Sequence, residues 1–280
     1  MNGFREFLSA KEIWAVPLVA SVVAGALLGA LGVFVVLRRT VFVSAALTQL
    51  STVGLVLALL VEESLHVHSE HTTIQLVVAI VFSVVGALIL GAFRSRRLPA
   101  EAAVGGVWVA ASALVVLGVS RLLVHEAHDL GGMVFGNAVA VPPLDLVVIA
   151  VVAVLCALVH LLFGKELAFV SFDAETARAV GMNVSLWDGI LFLTIGLAIP
   201  VTARALGALP VFAFLTLPAA AALLARTRFR AAFAVAAGIG VLAAGGGYVL
   251  SWLWELPTGA TMVALAGLLL LPGAVLRARG

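Results

Sequence analysis

Histidine and carboxylate are concentrated in two short stretches of this chain. Glu62, Glu63, His66, His68, Glu70 and His71 crowd the first, and His125, Glu126, His128 and Asp129 the second. Imidazole and carboxylate are suitable ligands for zinc, manganese or iron, and the spacings H-x-H and H-x-x-H can bring two ligands to one ion. His66, His68, His71, His125 and His128 are therefore candidate metal contacts. The competing reading is that polar residues have to go into loops and that histidine is common there. His160 and the lone Cys156 sit in an apolar run instead. The first reads as an interhelical hydrogen-bonding residue and the second as a small core residue.

Two further polar groupings stand out. Thr48, Gln49, Ser51 and Thr52 form a stripe inside an apolar run, suited either to line a path or to bond neighbouring helices. Lys165 to Met182 is charged and reads as a short helix, with Ser171 or Asp173 able to cap its start and Gly181 suited to the left-handed residue at its end. Such a segment offers a surface to a partner, or is simply a solvated loop helix. Catalytic machinery is missing, since no G-x-x-x-x-G-K-[ST], H-E-x-x-H or G-x-S-x-G occurs. The chain therefore reads as a non-enzyme that binds no cofactor of its own.

The elements that hold these groups are membrane spans. Of the 280 residues 64% are hydrophobic and 11% charged, with a mean hydropathy of +1.24, whereas about a quarter of a soluble globule is charged. About 20 apolar residues cross a bilayer as a helix, because the backbone must satisfy its own hydrogen bonds there. That length predicts an all-α polytopic membrane protein with nine spans between residues 13 and 276, forming a single domain over 1–280. The expected spans are Ile13–Leu37, Val41–Val61, Ile74–Phe93, Ala102–Val124, Leu144–Phe163, Leu186–Ala203, Leu206–Ala225, Phe229–Leu253 and Ala260–Leu276. The run from Ile13 exceeds the ~7–15 residues of a signal-peptide core and is followed by Arg38-Arg39, so it reads as the first span. The sixth and seventh follow so closely that they predict a tight hairpin or a broken element. Pro210 and Pro218 predict a kink in the seventh.

Twelve of the sixteen Lys and Arg fall on one side of this threading, with residues 165–182 among them. Arg5, Lys11, Arg121 and Arg204 fall on the other, with most of the loop carboxylates. The positive-inside rule then puts the N-terminus outside, the C-terminus and residues 165–182 in the cytoplasm, and both histidine loops outside. The net charge of +2 and pI near 9.2 are explained by these orientation signals, and no nucleic-acid partner is implied. The spans hold almost no ionisable groups at mid-depth, which disfavours an ion-coupled carrier. A transporter built this way needs a partner to supply energy.

Three stretches carry a family resemblance: S-F-D-A-E-T-A-R-A-V-G-M with the later L-G-A-L-P-V-F-A-F-L-T-L-P-A-A-A-A, then V-L-R-R-T-V-F-V-S-A-A-L-T-Q-L-S-T-V-G, and M-V-F-G-N-A-V-A-V-P-P-L-D-L. Together they resemble the permease subunit of metal-uptake ABC transporters of the zinc, manganese or iron-chelate type. The resemblance implies import of a divalent transition metal, with a metal chelate or vitamin as the alternative cargo. It implies a separate ATP-binding cassette ATPase that consumes the ATP, an extracytoplasmic substrate-binding protein, a second permease copy, and a plasma-membrane location among lipid. It makes Phe172 to Gly181 the coupling helix, with Phe172, Asp173, Glu175, Arg178 and Gly181 facing or shaping the ATPase contact. In that family an aspartate and, four residues on, a histidine on the second span are thought to hold the metal. Ala45 and Gln49 occupy those places here, so the intramembrane metal site does not carry over.

Overall fold

The computed structural model describes residues 11–64, 72–92, 99–122, 141–225 and 228–278. His66, His68, His71, His125 and His128 lie outside them. The described residues form helices with no strand: α1 Lys11–Leu37, α2 Val41–Ser64, α3 Thr72–Ala92, α4 Ala100–Val119, α5 Pro143–Leu162, α6 Gly164–Phe172, α7 Ala174–Ala179, α8 Val184–Leu206, α9 Ala208–Leu224, α10 Phe229–Trp254 and α11 Thr258–Ala278. Each expected apolar run overlaps one of these helices, α4 ending at Val119, before the expected Val124. Seven of them (α1 to α5, α8 and α10) are long and apolar enough to cross a membrane, and the apolar parts of α9 and α11 are shorter.

The expected break between the sixth and seventh runs is a single residue. Gly207 adopts φ +91 between α8 and α9, a conformation that a side chain would strain, so the chain turns without a loop. Pro210 falls in the first turn of α9, where a missing amide costs nothing, and Pro218 lies inside that helix.

Packing divides the chain into two compact units. One comprises residues 1–39, 132–157 and 202–280, the other 40–131 and 158–201. The chain passes between them within α5, after Ala157, and within α8, after Val201.

In the first unit α1 packs on α9 and α10, and α11 on α9 and α10. Backbones touch directly. A Cβ on Gly25 would come within 2.6 Å of the Gly240 carbonyl oxygen, and one on Gly247 within 2.5 Å of the Met262 Cα. Small residues allow this approach, which supplies packing where lipid removes the hydrophobic drive. Phe34, Phe229 and Phe233 stack beside it, with ring centroids 5.1 to 6.2 Å apart.

The second unit is built on α2, which packs against α3 and α4. α8 lies against α3 here. A Cβ on Gly196 would meet the Ala87 Cβ at 2.9 Å and the Val84 Cα at 3.1 Å, and the Phe192 ring covers Gly91.

Candidate functional site

The Lys165–Met182 segment, expected as one short helix, is two helices that break at Asp173. Asp173 leaves helical geometry (φ −147, ψ 84) and caps α7. Its carboxylate accepts the Thr176 amide at 2.9 Å and the Thr176 hydroxyl at 2.6 Å. These bonds, the hydroxyl's first, with a further one from the Glu175 amide, hold the Asp173 carboxyl below the usual carboxylate range. Of the two expected caps only Asp173 serves, because the Ser171 hydroxyl donates back to the Leu167 carbonyl of its own helix.

The end of α7 is equally fixed. Gly181 takes φ +88, the Met182 amide reaches back to the Ala177 carbonyl at 3.0 Å and the Gly181 amide to Arg178 at 3.1 Å, a left-handed helix stop with its apolar contact in place. That contact is Met182 against a small core of Val170, Ala177 and Val184, joined by Ala174 and Trp187. Trp187 also meets Phe163, the residue between α5 and α6, with centroids 5.5 Å apart, so the corner is held onto the start of α8. Phe172 and Val180 remain 63% and 65% exposed, with Asp173, Glu175 and Arg178 exposed among them. The corner can therefore present two large apolar side chains within a charged surround.

The stripe on α2 separates into two lines. Ser44, Thr48 and Ser51 form one and are buried, while Ala45, Gln49 and Thr52 form the next and are half-buried. The hydroxyls bond their own helix: Ser44 donates to the Val41 carbonyl at 2.6 Å, Thr48 to Ala45 at 2.7 Å and Thr52 to Thr48 at 3.0 Å. Their protons are spent locally. On the Ala45 line of α2, Gln49 supplies a long polar side chain. Among the described residues no three His, Cys, Asp or Glu side chains gather as a metal ligand set. A cleft of about 350 Å³ beside Leu50, Phe82, Gly86 and Leu90 is apolar and offers a cation nothing.

Two polar pairs join residues that no sequence motif links. Gln75 at the start of α3 donates to the Glu62 carboxylate at the end of α2, at 2.9 Å. Arg204 in the last turn of α8 meets Asp145 in the first turn of α5 at 3.0 Å, with only 12% and 7% of the side chains exposed. The available signal was that Asp145 and Arg204 are opposite charges at two span ends that the threading puts on one side.

The model of the ABC 3 transport family matches residues 11–277. The chain belongs to this family. The resemblance carried by the three sequence stretches is thereby borne out. Among curated relatives, the manganese transport system membrane protein MntC of Halalkalibacterium halodurans is 27% identical over 90% of this chain and 83% of its own length. The zinc transport system membrane protein TroC of Treponema pallidum is 29% identical over 80% and 74%. In fold, this ABC 3 family member is similar to PsaBC from Streptococcus pneumoniae solved in complex with Fab, with a TM-score of 0.82, 23% identity, and coverage of 96% of this chain and 95% of that one.

Proposed function

We propose that this chain is the permease subunit of an ABC importer whose cargo is a divalent transition metal. The observation that carries the proposal is the α6–α7 corner, fixed by a cap at Asp173 and a glycine stop at Gly181, with Phe172 and Val180 exposed. A rigid apolar protrusion ringed by charge is the surface a protein partner needs. In this reading the partner is a separate ATP-binding cassette ATPase, the corner is cytoplasmic, and nine helices cross the plasma membrane with the N-terminus outside and the C-terminus inside. The basic residues support that orientation. A second permease copy and an extracytoplasmic binding protein complete the assembly.

The chain's own residues then do mechanical work. Closure of the ATPases pushes on Phe172 and Val180, and the corner moves as a body because Val170, Ala177, Met182, Val184 and Trp187 pack it onto the start of α8. The path alternates between the two sides of the membrane. Manganese and zinc in the names of MntC and TroC support the cargo class. Ala45 and Gln49 favour a second reading of the cargo, a metal chelate, because a chelated ion brings its own ligands and needs none from α2.

The test is an Asp173→Lys, Glu175→Lys variant, which reverses the charge beside Phe172 and removes the cap of α7. It should insert normally and lose co-purification of the ATPase. Recovery of the ATPase at wild-type yield would overturn the assignment of the corner.

A further inference from the structure

α8 is gripped at both ends and jointed between them. In the second unit, Gly196 lies against Ala87 and Val84 of α3, and Phe192 covers Gly91. These contacts, with the Trp187 packing at its start, tie the first part of α8 to the corner and to α3. In the first unit, its last turn is tied to α5 by the Asp145–Arg204 pair. Pro200 lies between the two grips. Proline has no amide to bond the Gly196 carbonyl, so the helical ladder is open at that point and bending is concentrated there. The passage of α8 from one unit to the other, after Val201, coincides with it.

The pair at the far end is suited to anchoring. Asp145 sits in the first turn of its helix and Arg204 in the last turn of its own, so each charge opposes the helix dipole it stands on. Both are largely buried, where screening by salt is weak and loss of Arg204 takes from Asp145 its counter-charge. A pair placed this way fixes the end of α8 against α5.

We propose that Asp145, Arg204 and Pro200 are positioning residues of the transport cycle. The ion pair is the far anchor of α8 and Pro200 its joint, so that movement entering at the α6–α7 corner bends α8 instead of dragging its end. This rests on the permease reading above. Losing the anchor lets α8 swing without working the far end of the path, so ATP is hydrolysed without transport.

The experiment uses the complete transporter in proteoliposomes, with its cognate ATPase and binding protein, and reads manganese(II) uptake and ATP hydrolysis together. Asp145→Asn and Arg204→Gln should each retain ATPase binding and hydrolysis while uptake per ATP falls about fivefold or more, the low end of an ordinary coupling free energy. The exchanged pair, Asp145→Arg with Arg204→Asp, should raise the ratio above both single variants. Pro200→Ala, which restores the missing ladder bond, should lower the ratio with the ion pair intact. If a single variant fails to insert, the exchanged pair and Pro200→Ala decide alone. An unchanged uptake-to-hydrolysis ratio in the variants that insert would overturn the inference while leaving the permease reading standing. Absence of manganese uptake by the wild-type transporter would remove the manganese cargo, and separation of the wild-type chain from the ATPase would remove the permease reading and this inference with it.

Discussion

The α6–α7 corner and the polar side of α2 are both short stretches that resemble one transporter family, and they have kept different things. At the corner the pattern is intact down to its caps: Asp173 holds Thr176, Gly181 takes the left-handed turn, and Phe172 and Val180 point outward. On α2 the helix is present, but the acid and histidine that the resemblance implies are not. Ala45 and Gln49 stand on a half-buried face beside threonines that bond their own backbone. If the corner docks an ATPase and the α2 face meets the cargo, as proposed, power input and cargo recognition are separable in this architecture. One can keep its chemistry while the other changes.

The largest expected effect tests whether recognition has moved rather than vanished. A dehydrated divalent ion needs ligands that α2 does not offer. Imidazole and carboxylate are plentiful in two stretches of the sequence that lie mostly outside the described residues. Replacing His66, His68, His71, His125 and His128 with alanine should abolish manganese uptake in proteoliposomes, whereas Gln49→Ala should reduce it only modestly. A dead Gln49→Ala beside an active five-histidine variant would reverse the comparison and make the α2 face the cargo path.

A second substitution runs the comparison the other way. Ala45→Asp with Gln49→His places an acid and an imidazole four residues apart on one helix face. It should tighten manganese binding by the purified permease about tenfold or more, since even the partners of metal ligands alter affinity by that much. Calorimetry with manganese(II) reads it. Unchanged affinity would mean that this face is closed to cations, and that Gln49 is a packing residue.

These two tests depend on residues that differ in how plainly the sequence announces them. The helices were legible almost end to end, because an apolar run of membrane length has one structural solution. Asp173 and Gly181 were legible because capping is local chemistry. Which face of a span is buried was not. α1 and α4 read as equivalent runs, yet 67% of the apolar stretch of one is buried and 17% of the other, since a helix apolar all round carries no directional pattern. The Asp145–Arg204 pair was hidden for a related reason. Its partners are 59 positions apart, and only the packed structure brings the two span ends together. The α6–α7 break is not legible in the sequence, because Ser171 and Asp173 both suit the cap of a single helix and nothing sets α6 apart before them.

At the corner the expected effects are smaller. Phe172→Ala removes a large exposed apolar side chain and leaves every cap bond in place. It should weaken ATPase binding about tenfold, as loss of an aromatic anchor at an interface does, without changing insertion or thermal stability. Wild-type affinity in that variant would shift the contact toward Val180 and the charged residues, and weaken the analogy between this corner and a protein-docking knob.

The smallest effect concerns how the corner is held. Hydrogen bonds from Thr176 depress the Asp173 carboxyl below its ordinary range. A group whose folded pKa is lowered stabilises the folded form at pH values above the ordinary carboxylate pKa of about 4 and loses that contribution as pH falls through the folded value. The cap should therefore be complete at neutral pH and fail only in acid. Hydrogen exchange at Thr176 and the rest of α7, corrected for intrinsic exchange rates, should show protection that is steady down to the carboxylate range and then declines. In Asp173→Asn that decline should disappear, because the amide oxygen still accepts the Thr176 amide, and the amide NH2 can donate to the Thr176 hydroxyl, without titrating. An identical acid decline in both proteins would assign the pH response to another group. It would leave Asp173 as a helix break with no electrostatic role, and the corner would then owe its rigidity to Met182, Val170 and Trp187 alone.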